Sequence, residues 1–316
     1  MDFQNGRELL KLCESEQQMI SQIMKKREID LGKHGLDQEK AAAEIDGKVH
    51  KTLEIMRNAA HEPLQKEIKS VGGLIGGEAK RLMEHREAGE SICGNVITNA
   101  IMYAMAVLEV NASMGIIAAA PTAGASGVLP GVLFALEKAY GLKEERLIQG
   151  LYTAGAVGYL LMRNASVSGA QAGCQAEVGS ASAMAAAAAV EIMGGTPAQA
   201  LSAAAGALSN LLGLVCDPIG GLVENPCQNR NAAGAVNALI NAQQALAGIR
   251  QVIPFDEMAQ VMADVGRSMP FELKESALGG CAAAPSVRAR GTTDGNGCAA
   301  GCGNGYNGKR KCGIIK

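Results

Sequence analysis

Residues 185–208 read AAAAAVEIMGGTPAQALSAAAGAL, and this stretch decides the fold. An alanine run continues through Val190 and Ile192 and stops at Gly194-Gly195. Glycine ends helices because it takes a left-handed backbone at little steric cost. Thr196-Pro197-Ala198-Gln199 then gives a start signal. Threonine caps, proline suits the first helical position, and glutamine three residues on completes a capping box. The stretch predicts two helices joined by a tight turn, with small side chains that let helices approach closely.

Working outward, the same character extends far on both sides. Between Leu147 and Val215 the charged residues are Arg163, Glu177 and Glu191 alone, so this region is expected to be the buried heart of the chain. Strand signals are weak, with no convincing alternation of apolar and polar residues. Upstream, residues 1–90 are charged and helix-patterned, with Leu9, Leu10 and Leu12, then Met19, Ile20 and Ile23, at helical spacing. A second such stretch runs from Gln38 to about Arg57. Downstream, Pro226-Cys227 opens a long helix towards Ala247, and Pro254 to Gly266 reads as an amphipathic helix. The expectation is an all-α fold, mainly helical, interrupted by loops rich in Gly, Pro and Ser. A charged helical layer over 1–90 covers a core over 91–290, and a glycine- and cysteine-rich tail over 291–316 is expected to be flexible.

Composition narrows the function classes. The chain has 316 residues and a net charge of −2, with no basic tract, which argues against nucleic acid. Aromatics make up 3%, tryptophan is absent and there are 40 glycines, so close backbone contact must do much of the packing. The polar N-terminus does not read as a signal peptide, and the uncharged stretches contain too many Gly, Pro, Ser and Asn residues for a membrane span. A cytoplasmic protein is expected. Its nine cysteines should then be reduced, which favours metal binding or catalysis over disulfides.

Three segments place small polar residues inside otherwise apolar sequence. They are PTAGASGVLPG (121–131), NASVSGAQAGCQAEVGSAS (164–182) and CDPIGGLVENPCQNR (216–230). A buried hydroxyl or amide costs about 1–3 kcal/mol if left unpaired. A polar ligand pocket is a reason to concentrate them. Cys174, Cys216 and Cys227 lie in or at the edges of these segments, at loop corners from which thiolates can converge. Their gaps of 42 and 11 residues form no Cys-x-x-Cys knuckle, so spacing leaves open an inert buried cysteine against a metal ligand.

The runs SVSGAQAGCQAEVGSA, CDPIGGLVENPCQNRN and APTAGASGVLPGVL resemble, in order, the cluster-binding α chain of the iron–sulfur L-serine dehydratases. The likeness covers about residues 70 to 287. It implies a 4Fe-4S cluster on Cys174, Cys216 and Cys227, with one iron left open. It implies a lyase of amino-acid degradation that needs no pyridoxal phosphate and converts L-serine to pyruvate and ammonia. Thr122 and Ser126, with the amides around Gly124 and Gly127, are the expected partners of the substrate carboxylate. Asn164, Ser166 and Ser168 are candidates for the amino group or the cluster sulfurs. The competing role for each serine and threonine is helix capping. Lys80 and Arg81 lie in a similar region and read equally as surface cations.

The family's serine-rich segment followed by His-Thr is absent, so the resemblance implies a β subunit that supplies the general base. His34, His50, His61 and His85 all lie in the charged N-terminal region and read as solvated helix-face residues. In the tail, Cys312 is a candidate resting-state cap for the open iron, against a zinc site formed by Cys281, Cys298, Cys302 and Cys312. An L-cysteine desulfidase and a non-catalytic iron–sulfur protein are the competing functions.

Overall fold

The computed structural model describes residues 2–33 and 37–293, the last four as backbone alone. Among the described residues there are thirteen α-helices and no strand; Cys216 and Lys274 form one isolated parallel bridge. The helices are α1 (Gly6–Glu16), α2 (Ile20–Gly32), α3 (Gln38–Gln65), α4 (Glu78–Glu87), α5 (Gly94–Ala112), α6 (Val128–Tyr140) and α7 (Glu144–Asn164). They continue with α8 (Gly169–Ala172), α9 (Cys174–Ile192), α10 (Pro197–Ser209), α11 (Cys227–Leu246), α12 (Phe255–Ser268) and α13 (Pro285–Thr293). The all-α expectation holds.

Helix α9 is the axis of the molecule. It packs against α6, α7, α10 and α11, and every one of its residues is buried except Glu177. A helix apolar all round has to lie inside. Its end and the start of α10 follow from sequence. Thr196 accepts from the Gln199 amide, and the Gln199 side chain accepts from the Thr196 amide. Small residues set how close the helices come. Gly131 of α6 faces α5, where a Cβ would lie 2.8 Å from the Ala100 carbonyl oxygen, so the contact has no room for one.

The N-terminal helices cover this core. Helix α2 packs on α7 and α3 on α5, burying Ile20, Ile23, Leu53 and Met56. One expectation fails here. His61 is no solvated face residue: its ring packs at a tilt against Tyr103 and edge-on against Phe134, at 4.9 and 5.6 Å between centroids, with Nδ1 on the Arg57 carbonyl oxygen. The cause is the length of α3, which carries its buried stripe past Arg57 to Pro63. His50 and His85 do stay exposed, paired with Glu144 and Glu90, and Arg81 pairs with Glu78. His34, Cys298, Cys302 and the proposed cap Cys312 lie outside the described residues. No helix among the described residues is long and apolar enough to cross a membrane.

Candidate active site

Two helix N-termini and one loop bring the thiols together. Cys174 opens α9, Cys227 opens α11, and Cys216 sits where residues 214–217 pass beside residues 273–275. The Cys216 amide donates to the Leu273 carbonyl at 2.9 Å, and the Glu275 amide donates to the Cys216 carbonyl at 2.7 Å. All three side chains are buried. The sulfurs of Cys174 and Cys216 and one carboxylate oxygen of Glu177 lie within 4.8 Å of one another. Cys227 lies outside that tight triangle.

Charge is arranged around Cys174. Its thiol is held below the ordinary range, first by the hydrogen bond from the Cys216 thiol and then by the Arg230 guanidinium. Arg230 Nη1 lies 3.6 Å from Cys174 Sγ and donates to the Val215 carbonyl at 2.8 Å and to Asp217 Oδ1 at 2.6 Å. Cys216 is correspondingly pushed up, first by the same hydrogen bond and then by burial, so Cys174 is the more readily ionised thiol of the two. Burial pushes Cys227 up to about 12. A helix N-terminus favours anionic sulfur, which suits both Cys174 and Cys227. Burial works against ionisation of Asp217, but the Cys281 amide and Arg230 outweigh it and keep its carboxyl below the usual range.

The three sequence motifs are clamped to each other by side chains. Asn231 Oδ1 accepts from the Gly127 amide at 2.9 Å, while Nδ2 donates to the Gly124 and Cys227 carbonyls at 2.7 and 2.9 Å. Glu224 is buried and accepts from Ser70 Oγ at 2.7 Å, the Gly72 amide at 2.6 Å and the Leu74 amide at 2.9 Å. These bonds tie loop 122–127 and loop 70–75 to the segment that carries Cys216 and Cys227. Arg230, Asn231, Asp217 and Glu224 were not singled out from sequence as site residues. Their signal was present, since charged and amide residues return abruptly after a long uncharged core.

The expected substrate contacts fare differently. Thr122 Oγ1 and Ser126 Oγ are buried without a hydrogen-bond partner of ordinary geometry, and Thr122 lies beside Glu177. Buried polar atoms left unpaired are uncommon and point to a missing ligand. The Gly127 amide, by contrast, is already taken by Asn231. Asn164 is not brought to these groups by any hydrogen bond: its amide donates to the Gln4 and Leu160 carbonyls. Ser166 Oγ donates to Gln171 Oε1 at 2.7 Å and accepts from the Ser168 amide at 3.2 Å, a local turn. Ser168 precedes Gly169, whose α-carbon faces the site: a Cβ there would lie 2.7 Å from Glu177 and 2.9 Å from Cys216 Sγ.

The geometry can be set beside known proteins. The family model for the serine dehydratase alpha chain matches residues 4–282. The chain belongs to this family. A probable L-serine dehydratase alpha chain of Bacillus subtilis is 46% identical over 286 residues, covering 90% of this chain and 93% of the relative. The L-serine dehydratase alpha chain of Peptoniphilus asaccharolyticus is 42% identical over 277 residues, 88% of this chain and 93% of that one. An L-serine dehydratase of Streptomyces coelicolor is 37% identical over 290 residues, which cover 89% of this chain but 60% of the relative. The alignment of this serine dehydratase alpha chain thus spans 93% of each of the two relatives named alpha chains and 60% of the longer Streptomyces one.

Proposed function

We propose that this chain is the cluster-holding subunit of an L-serine dehydratase, a lyase that converts L-serine to pyruvate and ammonia. The observation that carries the reading is the pair of buried thiols Cys174 and Cys216 beside Glu177, with a third buried thiol, Cys227, close enough to feel the charge of Cys174 and Glu177, and the buried Thr122 and Ser126 hydroxyls in the adjoining motif. The donor set fits a 4Fe-4S group. A single tetrahedral ion would draw its sulfurs within about 4 Å of each other, given metal–sulfur bonds near 2.3 Å. Cys227 stands outside the Cys174–Cys216 triangle, which suits a wider, multi-iron group with Cys174, Cys216 and Cys227 as ligands. When bound through three thiolates, such a cluster leaves one iron as a Lewis acid for the substrate carboxylate and hydroxyl.

The chain's own residues do the rest of the positioning. Thr122 and Ser126 offer hydroxyls to the substrate carboxylate or to the departing hydroxyl. Arg230 favours the ionised form of Cys174 and is itself paired with Asp217. The buried surroundings strengthen each of these interactions by excluding water. The elimination removes the α-proton and the hydroxyl of serine. The resulting enamine tautomerises and hydrolyses to pyruvate and ammonia.

A partner chain is expected to supply the general base. His50, His61 and His85 are engaged elsewhere. The naming of the matching family and relatives as alpha chains supports a separate subunit. Val71, Met114 and Ile116 stand largely exposed close to the site loops, and covering them is a natural role for that subunit. Six unpaired cysteines among the described residues suit a reducing, cytoplasmic setting.

The test is anaerobic purification of the chain with its partner. The expected outcome is four irons and four sulfides per chain, and pyruvate formation from L-serine faster than from L-cysteine. A colourless, iron-free complex would overturn the reading. Faster turnover of L-cysteine would make the protein a desulfidase. Stoichiometric iron without turnover would make it a non-catalytic iron–sulfur protein. One iron or zinc without sulfide would favour a single-metal centre on Cys174, Glu177 and Cys216, the groups that lie closest together.

A further inference from the structure

Among the described residues all four buried carboxylates have N–H donors. Asp217 has Arg230 and the Cys281 amide, and Glu224 has two loop amides and a serine hydroxyl. Glu109 has the Ala79 amide and Gln228, and Glu191 has the Ser21 amide. Glu177 has none of these. Among the described residues no Lys, Arg or His pairs with it; its polar neighbours are the Thr122 hydroxyl, the Cys174 and Cys216 thiols and the Glu275 carboxylate, none of them a cation. It is also the one residue of α9 that is not buried.

The surroundings look made for something small and positive. Glycines face the carboxylate from two sides. Gly169 lies so close that a side chain would collide with it, and both oxygens are 3.4 Å from where a Cβ on Gly124 would stand. Two backbones thus approach the carboxylate without filling the space beside it. An anion in such a place costs several kcal/mol unless a cation pairs with it.

The geometry points to Glu177 as the residue that receives the α-ammonium group of the substrate, and so selects an amino acid over the matching 2-hydroxy acid. This rests on the serine dehydratase reading. There the substrate's carboxylate and hydroxyl are met by the open metal position and the Thr122 and Ser126 hydroxyls. Its ammonium is left over, and Glu177 is left over in the protein. The competing role is direct ligation of metal, since Glu177 lies within 4.8 Å of the Cys174 and Cys216 sulfurs.

The two roles separate in the anaerobic holoenzyme with its partner chain. Binding of L-serine and of L-glycerate, which has a hydroxyl in place of the ammonium, is read as perturbation of the cluster's visible and paramagnetic-resonance spectra. Glu177→Gln should weaken L-serine by about a hundredfold, the scale of removing one partner from a buried charge pair. L-Glycerate should bind at least as tightly as before, and the resting spectrum should not change. Equal weakening of both ligands, or an altered resting spectrum or iron content, would overturn the inference. If Glu177→Gln does not fold, Glu177→Asp decides, with a smaller shift expected in the same direction. Absence of turnover in the unmodified holoenzyme would instead sink the serine dehydratase reading itself.

Discussion

Asn231 uses both ends of its amide on the framework of the site. Truncation to alanine leaves the Gly127 amide and the Gly124 and Cys227 carbonyls short of a partner in a buried place. Asn231→Ala should therefore cost about 3 kcal/mol of stability, read as a lower urea midpoint at unchanged slope. Glu109 makes a different prediction. It is fully buried, and burial raises its pKa to about 7 from 4.5, against the opposing Ala79 and Gly77 amides. Between those values the folded chain holds a proton that the unfolded chain has released. Stability is thus greatest below pH 4.5 on this account, and falls as pH rises to about 7. The loss totals about 3 kcal/mol. Urea unfolding of the chain and of Glu109→Gln from pH 5 to 8 checks it: the variant should lack that part of the slope. At this scale the sequence was partly legible. The cysteines stood out through the company they keep and the family resemblance, whereas spacing alone could not tell a ligand from a packed thiol. Asn231 and Arg230 lay inside a quoted motif but looked like ordinary helix residues, because their partners are 104 and 13 positions away. Asn164 looked like a site residue for the opposite reason, as a polar neighbour in sequence whose partner is the remote Gln4.

Among the elements, helix boundaries were the most readable feature. Thr196-Pro197, Pro226-Cys227 and Pro254 each mark a start that the structure shows one residue on. Local hydrogen bonding decides these positions, so local sequence reports them. Contacts between elements are less legible. Nothing near Glu224 in sequence says that it will hold loop 70–75, and nothing in α3 says that His61 will meet Tyr103. The α5–α6 contact yields a prediction at this scale. A Cβ on Gly131 would stand 2.8 Å from the Ala100 carbonyl and 2.9 Å from the Ala104 methyl. Backbone cannot swing aside as a flexible side chain can. Gly131→Ala should push the helices apart and cost about 1–3 kcal/mol despite its better helix propensity, seen as a lowered melting temperature. Gly47 of α3, with nothing near its α-carbon, is the control. There the same change should stabilise, by roughly 0.5–1 kcal/mol.

For the molecule as a whole, the all-α architecture was legible because its signal is repeated along the chain, and each capped segment supports the next. The site was legible as three motifs but not as an assembly, since its charged clamps join segments far apart in sequence. What holds the assembly together has a thermodynamic signature of its own. Alanine is the commonest residue in the buried core, and α9 is built largely from it. An alanine hides little apolar surface when it is buried, and the heat capacity of unfolding follows the apolar surface exposed. Scanning calorimetry of the folded chain should give a heat-capacity increment below the usual roughly 12–15 cal/mol/K per residue. The stability curve would then be flatter than that of a leucine-rich helical protein of equal length, with an unfolding enthalpy that varies less with temperature. A core of small side chains in close contact trades depth of stability at one temperature for breadth across many.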